Sequence, residues 1–467
     1  MDDLPPDEWA AFSPRHNEPK PKRFGLPEYL AAAIGVLILI GLVVLWPSGT
    51  AKEAASSSFA VLGVPSEFHE AVVTDVTLGP CPGTPDIECI SVSFELTQGP
   101  DSGQSYRQEF AANDIVPEFS IGDKVVLSRI PPSGEIVGLN EAPCEFDPQT
   151  TCTEAAVRLS AGPDAGSIGK VLLFPGQESG LFPSREVMVT FDFDGEIIAI
   201  APTTMEAMYR YADYQRRGFL FAITVIFALA VVALGRWRGL AALSGLGLSV
   251  VIIVFWLIPS LLDGNSAVAA AMVGAAAVAY LALYVSHGVN RMSTVALLGT
   301  LAALLLITGL SWLTTVLGQF TGLASEEATL LLTIKGFDIR GLLIVGIVIG
   351  AAGALDDVTV TQASAIAEIR SADPSIERGV LFKRGMAIGR AHVGSIVNTL
   401  VLAYLGAAMP LTLLFVLAQQ SFGAVVNSEV VAVEIVRSLV GTIGIVAAVP
   451  LTTWMATVWP SAHRHQH

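Results

Sequence analysis

Charged residues are scarce in this sequence, and their scarcity is uneven. Asp, Glu, Lys and Arg make up 15% of the 467 residues, whereas soluble domains average about 25%. Long stretches carry no charge, while residues 50–217 have the composition of an ordinary soluble segment. Several apolar windows reach the ~20 residues that a membrane helix needs. The composition therefore excludes a single soluble globule, and it also excludes a collagen-like or largely disordered chain.

Several catalytic signatures are missing from the sequence. It contains no phosphate-binding loop, so nucleotide hydrolysis is not expected. Residues 50–217 show no nucleophile–base arrangement, and His69 is interpreted as a strand residue. The adjacent Asp356 and Asp357 point about 100° apart on one helix, and no second span carries an aspartate, which excludes an intramembrane aspartyl protease. We expect no enzyme activity, no metal site and no cofactor.

Cysteine is limited to Cys81, Cys89, Cys144 and Cys152, all within residues 50–217. An even number confined to one segment indicates disulfides formed in an oxidising compartment. The repeated C-x7-C spacing favours the local pairs Cys81–Cys89 and Cys144–Cys152. A zinc site is the alternative, but the C-x2-C spacing that would recommend it is missing.

Eight apolar spans are predicted, one before and seven after the soluble segment. They are 26–46, 218–234, 240–258, 266–285, 294–318, 341–361, 393–417 and 436–459. Lys22 and Arg23 precede the first span, and most basic residues of the later loops fall on the same side. The positive-inside rule then predicts a multi-pass plasma-membrane protein with both termini in the cytoplasm. The expected segments are a disordered leader (1–25), an anchor (26–46), a seven-helix membrane domain (218–459) and a cytoplasmic tail (460–467).

Residues 50–215 are predicted to form an extracytoplasmic all-β domain. Alternating runs between Gly- and Pro-rich turns predict short strands, and hence a small OB- or SH3-like barrel or sandwich. The predicted strands are 71–78, 90–96, 106–111, 124–130, 169–174, 187–193 and 197–200. Tyr209, Tyr211 and Tyr214, beside the re-entry into the bilayer, are interpreted as an interfacial aromatic belt. The net charge of −16 lies mostly in this segment, which argues against nucleic acid or anionic lipid as its partner.

The sixth span carries the most informative pattern. Only 341–355 is free of strongly polar residues, so the helix must continue past Asp356 and Asp357 to cross the bilayer. A charge there costs at least about 2.5–3.5 kcal/mol and must face protein or water. One face of the helix collects Gly346, Gly350, Gly353, Asp357, Thr361, Ser364 and Glu368. The glycines suit helix packing, and the polar half suits a cation or proton path. A structural pair between the aspartate and an arginine is the alternative.

A second polar cluster opens the seventh span. Arg390 and His392 are expected at the depth of Asp357, with Ser395, Asn398 and Thr399 further along the same helix. An arginine would keep the aspartate ionised, and a neutral histidine could relay protons. A solvated interfacial side chain is the alternative role for His392.

Two segments, GAAGALDDVTVTQASAIAEI and GRAHVGSIVNTLVLAYLGAAMP, resemble the YibE/F-like family of bacterial integral membrane proteins. Asp213 and Arg216, which precede the second span, resemble a further feature of that family. The likeness covers the membrane portion and extends only loosely to the outer domain. It implies a multispan membrane protein, usually regarded as a permease, and it brings no substrate or site residues.

These observations predict a permease-like protein for a cation, a proton-coupled substrate or another small solute. The alternative is a non-transporting envelope sensor or scaffold whose outer domain binds an envelope partner. A water-filled cavity that reaches Asp357 would favour transport, whereas a dry aspartate paired with arginine would favour the scaffold. The lipid bilayer is an expected partner in both cases, and a homo-oligomer stays open.

Overall fold

A computed structural model describes most of the chain from residue 26 to residue 459. The described ranges are 26–49, 67–81, 84–111, 117–130, 132–144, 150–160, 166–177, 180–191, 197–204, 208–325, 328–329, 331, 337–417 and 421–459. The expected leader (1–25) and tail (460–467) lie outside these ranges.

The β region contains two five-stranded antiparallel sheets among the described residues. Its strands are β1 (Glu67–Cys81), β2 (Thr84–Leu96), β3 (Ser105–Ala111), β4 (Lys124–Arg129), β5 (Gly134–Pro143), β6 (Thr151–Leu159), β7 (Ile168–Leu173), β8 (Glu186–Phe191), β9 (Ile197–Pro202) and β10 (Tyr209–Tyr214). The first sheet has the order β10-β4-β1-β2-β3, and the second has β7-β6-β5-β8-β9. The second sheet is therefore inserted between two neighbouring strands of the first.

Each sheet encloses a core of its own. Phe94, Leu127 and Tyr209 are buried inside the first sheet, and Ile136 and Val187 inside the second. Alternate residues of each strand point to one face, which is why such a short sheet can bury a row of apolar side chains. The all-β prediction is confirmed, and the described strands form two sheets, each with its own core. The prediction missed β5 and β6 because their sequences, such as GEIVGLNEAP, alternate weakly.

The interpretation of the tyrosines as a membrane belt is wrong. Tyr209, Tyr211 and Tyr214 belong to β10, which pairs with β4. Tyr209 is fully buried and donates a hydrogen bond to Asp101 Oδ2 (2.6 Å). Burial, followed by that contact with a carboxylate, raises the pKa of Tyr209 to about 12. An aromatic run at a span boundary has the same composition whether it lies in lipid headgroups or in a strand, so composition did not distinguish the two.

Both expected disulfides are confirmed. Cys81–Cys89 links β1 to β2 and Cys144–Cys152 links the end of β5 to β6, each with a sequence separation of 8. Each bridge lies at the turn end of a hairpin, where strand pairing is already present. The bridges therefore stabilise the local hairpins and do not join the two sheets.

The remaining chain is helical. The helices are α1 (Leu26–Val44), α2 (Arg217–Ile252), α3 (Ile258–Leu262), α4 (Ala267–His287), α5 (Arg291–Leu317), α6 (Ile339–Ala372), α7 (Arg378–Ala407), α8 (Met409–Leu417), α9 (Phe422–Asn427) and α10 (Glu429–Val458). A π-helical turn, Ile253–Leu257, connects α2 to α3. Among the described residues, six apolar helices are long enough to cross a membrane: Arg217–Leu262, Ala267–His287, Arg291–Leu317, Ile339–Ala372, Arg378–Ala407 and Glu429–Val458. The chain therefore has helices of the length and composition that suggest a membrane protein, with an all-β region between its first and second helices.

Helix α2 is broken at Arg236, whose φ of 52° and ψ of −128° are not helical. After this break the chain bends back on itself. The bend is evident at Gly239, where a Cβ would lie 2.3 Å from the Val231 carbonyl oxygen. We call residues 217–235 the first arm of α2 and residues 237–252 the second arm. The first arm alone is about 28 Å long at 1.5 Å per residue, which is close to the hydrocarbon thickness of a bilayer.

Contacts between helix ends show which ends share a side of the bundle. We call the side at which α2 leaves β10 the β side, and the other the far side. On the β side, Ser48 Oγ after α1 donates to Asp263 Oδ2 (2.9 Å), and Thr321 Oγ1 donates to Glu429 Oε2 (2.7 Å). On the far side, Arg291 Nε lies 3.5 Å from Glu28 Oε1. The successive helices thus alternate in direction, as membrane-spanning helices must.

Helix α6 lies at the centre of the bundle, packed against α4, α5, α7 and α10. Small residues allow these close contacts: a Cβ at Gly299 of α5 would lie 2.1 Å from Thr452 Oγ1 of α10. The interior also contains paired polar groups. Thr300 and Thr359 share a hydrogen bond of 2.8 Å, and Gln362 Nε2 donates to the Gly385 carbonyl (2.9 Å) and to Thr453 Oγ1 (2.7 Å). Such interhelical bonds between small polar side chains are typical of packing in membranes.

Candidate functional site

Helix α6 is longer than a bilayer requires, and its aspartates lie in its middle. It begins where Asp338 Oδ1 accepts a hydrogen bond from the Gly341 N–H (2.9 Å) and ends at Asp373, next to Pro374. Asp356 is the 18th of its 34 residues, about 26 Å from the β-side end at 1.5 Å per residue. Both carboxylates are therefore far from either end of the helix.

A cavity of about 910 Å³ borders the polar half of α6. Its other walls are the second arm of α2, the far-side half of α4 and the first turn of α5. The residues of α6 that line it include Gly353, Asp356, Asp357, Ser364 and Glu368. The facing residues include Arg238, Ser249 and Ile253 from α2 and the π-helical turn, and Ser286 and His287 from α4. The cavity thus runs from the middle of α6 to the far side of the bundle.

The two aspartates on the wall of this cavity have no basic partner among the residues that the structure describes. Asp356 is half-buried, and its Oδ1 atom is buried without a hydrogen-bond partner in the structure. Asp357 is exposed to the cavity. Neither carboxylate forms an ion pair with any residue that the structure describes. A lone buried polar oxygen is costly, and a cavity that admits water or a solute is the setting in which it can be tolerated.

The polar face predicted for α6 divides between two surroundings. Four residues of this face line the cavity: Gly353, Asp357, Ser364 and Glu368. Thr361 is exposed but does not line the cavity. A Cβ at Gly353 would meet no atom within 4 Å, so this glycine widens the cavity and does not pack against a helix.

The glycines nearer the β side face side chains and not a neighbouring backbone. A Cβ at Gly350 would lie 3.2 Å from Tyr404 Oη, and one at Gly346 would lie 3.8 Å from Arg437 Nη2. Arg437 is itself paired with Glu434 (2.7 Å). The close backbone approach expected at these glycines occurs instead at Gly299, described above.

The structure does not bring the second predicted cluster to the aspartates. Arg390, His392, Ser395 and Asn398 are exposed on α7 and are absent from the cavity lining. The basic residues that do line the cavity are Arg238 and His287. Arg238 lies between the predicted spans 218–234 and 240–258, outside the helices that the sequence predicted. Nothing in the pattern showed that the second arm of α2 faces α6 across the cavity.

The β region is joined to the cavity helix without a linker. Strand pairing continues past β10, because the Gln215 N–H donates to the Lys124 carbonyl (2.9 Å), and α2 begins at Arg217. Glu70 of β1 holds this junction: its Oε1 accepts from Gln215 Nε2 (2.6 Å) and Arg217 Nη1 (3.2 Å). The adjacent Asp213 pairs with Arg216 (2.5 Å), which holds the pKa of that carboxyl below its usual range.

These features combine a bundle of helices apolar enough to cross a membrane, a cavity of about 910 Å³ beside two carboxylates in the middle of α6, and a β region joined directly to one cavity helix. The model of the YibE/F-like protein family matches residues 223–461, which is more than half of the chain. The protein therefore belongs to the YibE/F-like family, as the two segments around α6 and α7 suggested. No curated protein and no solved structure matches the chain.

Proposed function

We propose that this protein is a permease that moves a cation, a proton-coupled substrate or another small solute through the cavity beside α6. Asp356 and Asp357 are the groups that bind or exchange the cation. The observation that carries the proposal is a pair of carboxylates without a basic partner, halfway along a membrane helix and on the wall of a cavity of about 910 Å³. A structural aspartate would instead be packed against an arginine.

The distribution of basic residues supports an orientation for this path. The far side carries Arg236, Arg238, Arg291, Arg370, Arg378, Lys383 and Arg384. Short loops rich in Lys and Arg stay in the cytoplasm, so the far side is cytoplasmic and both β sheets are outside. The disulfides fit an oxidising compartment on that side. The cavity then opens toward the cytoplasm, and its lining on α6 ends toward the β side at Ile349.

Flux measurements test the proposal directly. Full-length protein in proteoliposomes should move protons or a monovalent cation, read with a pH dye and a cation panel. Asp357→Asn and Asp356→Asn should abolish this flux, because each removes one cavity charge and keeps the side-chain shape. Glu377→Gln is the matched control: it removes one carboxylate from an exposed residue outside the cavity and should leave flux unchanged. Absence of flux across the panel in wild-type protein would refute transport of protons and monovalent cations by this protein.

Water access to the cavity can be measured independently. All four cysteines form disulfides, and the chain has no free thiol. A single introduced cysteine can therefore be labelled without a background. Ser364→Cys on the cavity wall should react with a membrane-impermeant maleimide applied from the cytoplasmic side. Ile443→Cys, whose parent side chain is 50% exposed outside the cavity, should not react. Equal labelling of both positions, or of neither, would contradict a water-filled cavity.

A sensor or scaffold is the second candidate function, and the junction at Glu70 favours it. The contacts of Glu70 with Gln215 and Arg217 tie β1 to the start of α2, so binding of an envelope partner to the β sheets would move a membrane helix. This hypothesis predicts no flux in the wild-type protein, and it predicts that Asp357→Asn lowers thermal stability. The flux experiment above distinguishes the two candidates.

A further inference from the structure

This inference starts from the proposed transport function: the volume of the cavity indicates the kind of solute that it can bind. A cavity of about 910 Å³ has room for roughly 30 water molecules at about 30 Å³ each. It falls in the range of about 300–1,000 Å³ that is typical of sites for small organic ligands. A bare metal ion needs a tight shell of about six to eight oxygen ligands. Among the described residues, no group of three His, Cys, Asp or Glu side chains could hold a metal ion.

Apolar side chains make up more than half of the cavity lining. On α6, Ile349 lies beyond the aspartates and Val360 lies toward the cytoplasmic opening, and Leu246, Ile253 and Val278 line the cavity from α2, the π-helical turn and α4. Water alone gains nothing from such walls, whereas an apolar group is stabilised when it leaves water to contact them. The walls on both sides of the aspartates therefore suit a hydrocarbon body.

The charged groups are separated along the cavity. Asp356 and Asp357 lie about midway along the α6 lining, between Ile349 and Glu368, whereas Arg238, His287 and Glu368 lie toward the cytoplasmic opening. The buried Oδ1 of Asp356 has no partner, so it can accept a hydrogen bond from a ligand without breaking an existing one. An ammonium group supplies both the N–H donor and the opposite charge that this oxygen lacks.

We propose that the cavity binds a small organic cation, with its ammonium group against Asp356 and its apolar body against the walls formed by α2 and α4. This inference rests on the proposed function and adds a substrate class to it. The carboxylates disfavour an anion of the same shape, and a neutral molecule would leave Asp356 Oδ1 without a charged partner.

A set of three probes with one shape tests the charge preference. 1-Aminoadamantane is a cation at neutral pH, 1-adamantanol is neutral and 1-adamantanecarboxylate is an anion. Full-length protein in nanodiscs should bind tritiated 1-aminoadamantane saturably, after subtraction of empty nanodiscs. Unlabelled amine should compete, and the carboxylate should not. Binding should weaken about tenfold or more in Asp356→Asn, as expected for loss of a charge-assisted hydrogen bond, and should persist in Glu377→Gln.

The comparison of the three probes needs only wild-type protein, so it decides the inference even if a variant folds poorly. Equal competition by all three probes, or no saturable binding, would overturn it. Ion flux that depends on Asp357 but occurs without saturable binding of the amine would overturn this inference and leave the proposed function standing. Saturable, charge-selective binding without ion flux would support the site and count against ion transport.

Discussion

Replacing an unpartnered polar residue and a fully partnered one on the same helix should change stability in opposite directions. Asp356 and Gln362 both lie on α6. Asp356 Oδ1 is buried without a partner, whereas Gln362 Nε2 donates to Gly385 O and Thr453 Oγ1. Leucine at position 356 would contact the apolar cavity wall, and leucine at position 362 would remove both hydrogen bonds. We therefore expect Asp356→Leu to stabilise the protein and Gln362→Leu to destabilise it.

The magnitudes follow from the cost of an unmade hydrogen bond. Leaving a buried polar group unsatisfied costs about 1–3 kcal/mol, and Asp356 incurs that cost in the folded protein. Because its other oxygen reaches the cavity, the gain on replacement should be near the lower limit, about 1 kcal/mol. Gln362→Leu leaves the Gly385 carbonyl without its donor and should cost about 1–3 kcal/mol. For a region of this size, 1 kcal/mol moves the melting temperature by about 2–4 °C.

Thermal unfolding of full-length protein in one detergent, followed by intrinsic tryptophan fluorescence, measures both changes. Asp356→Leu should melt about 2 °C or more above wild type, while losing flux in proteoliposomes. A stabilised but inactive variant is the signature of a residue retained for function at the expense of stability. If Asp356→Leu instead melts below wild type, the carboxylate makes a stabilising contact in the bilayer, and the reasoning fails.

Three further outcomes concern the β region. Reduction of Cys81–Cys89 and Cys144–Cys152 should lower the stability of the β region by about 2.5 kcal/mol for each closed loop. The strand signal in circular dichroism should then disappear at a lower denaturant concentration, while the helical signal persists. Unchanged strand stability would contradict this prediction. Burial raises the pKa of Tyr209 and of Tyr211 to about 12, above the ~10 of an unfolded tyrosine. Folding therefore retains these protons, and β-region stability should be full below pH ~10 and fall as pH rises toward 12, measured by denaturant titration with Tyr209→Phe as the comparison. Glu70→Ala should remove the contacts that hold Gln215 and Arg217. Amide hydrogen exchange should become faster at residues 214–218 and stay unchanged in the β core. Equal exchange in the variant and the wild type would show that the junction does not depend on Glu70.

Local composition was enough to predict those elements that depend only on residues close together in the sequence. An apolar run such as 266–285 can satisfy its backbone in lipid only as a helix, and α4 (Ala267–His287) follows it closely. The cysteines share a short spacing and one compartment, so their pairing followed from proximity along the chain. The polar residues of α6 were found for the same reason, since helical phase alone brings Asp357, Ser364 and Glu368 to one face.

The surroundings of that face could not be predicted, because they depend on which helices meet. Arg390 follows α6 closely in the chain, yet it is exposed on α7, while Arg238, more than 100 positions before α6, lines the cavity. The prediction for the tyrosines of β10 was wrong for a related reason. They complete a sheet whose other strands lie before residue 130, so their burial depends on a strand pairing across the whole inserted second sheet.

Helix α2 connects the β region to the helical bundle, and its geometry is relevant to both candidate functions. Its first residue follows a strand pairing that extends to Gln215, and its first arm is largely unpacked, with Phe221 72% exposed. An unpacked helix can tilt with the sheet to which it is fixed, because few side-chain contacts hold it to the bundle. The break at Arg236 leads directly to Arg238, and the second arm forms one cavity wall. A displacement of the first sheet would therefore change the width of the cavity beside Asp356 and Asp357. If the β sheets bind an envelope partner, as the second candidate function proposes, this connection would couple that binding to access to the carboxylates.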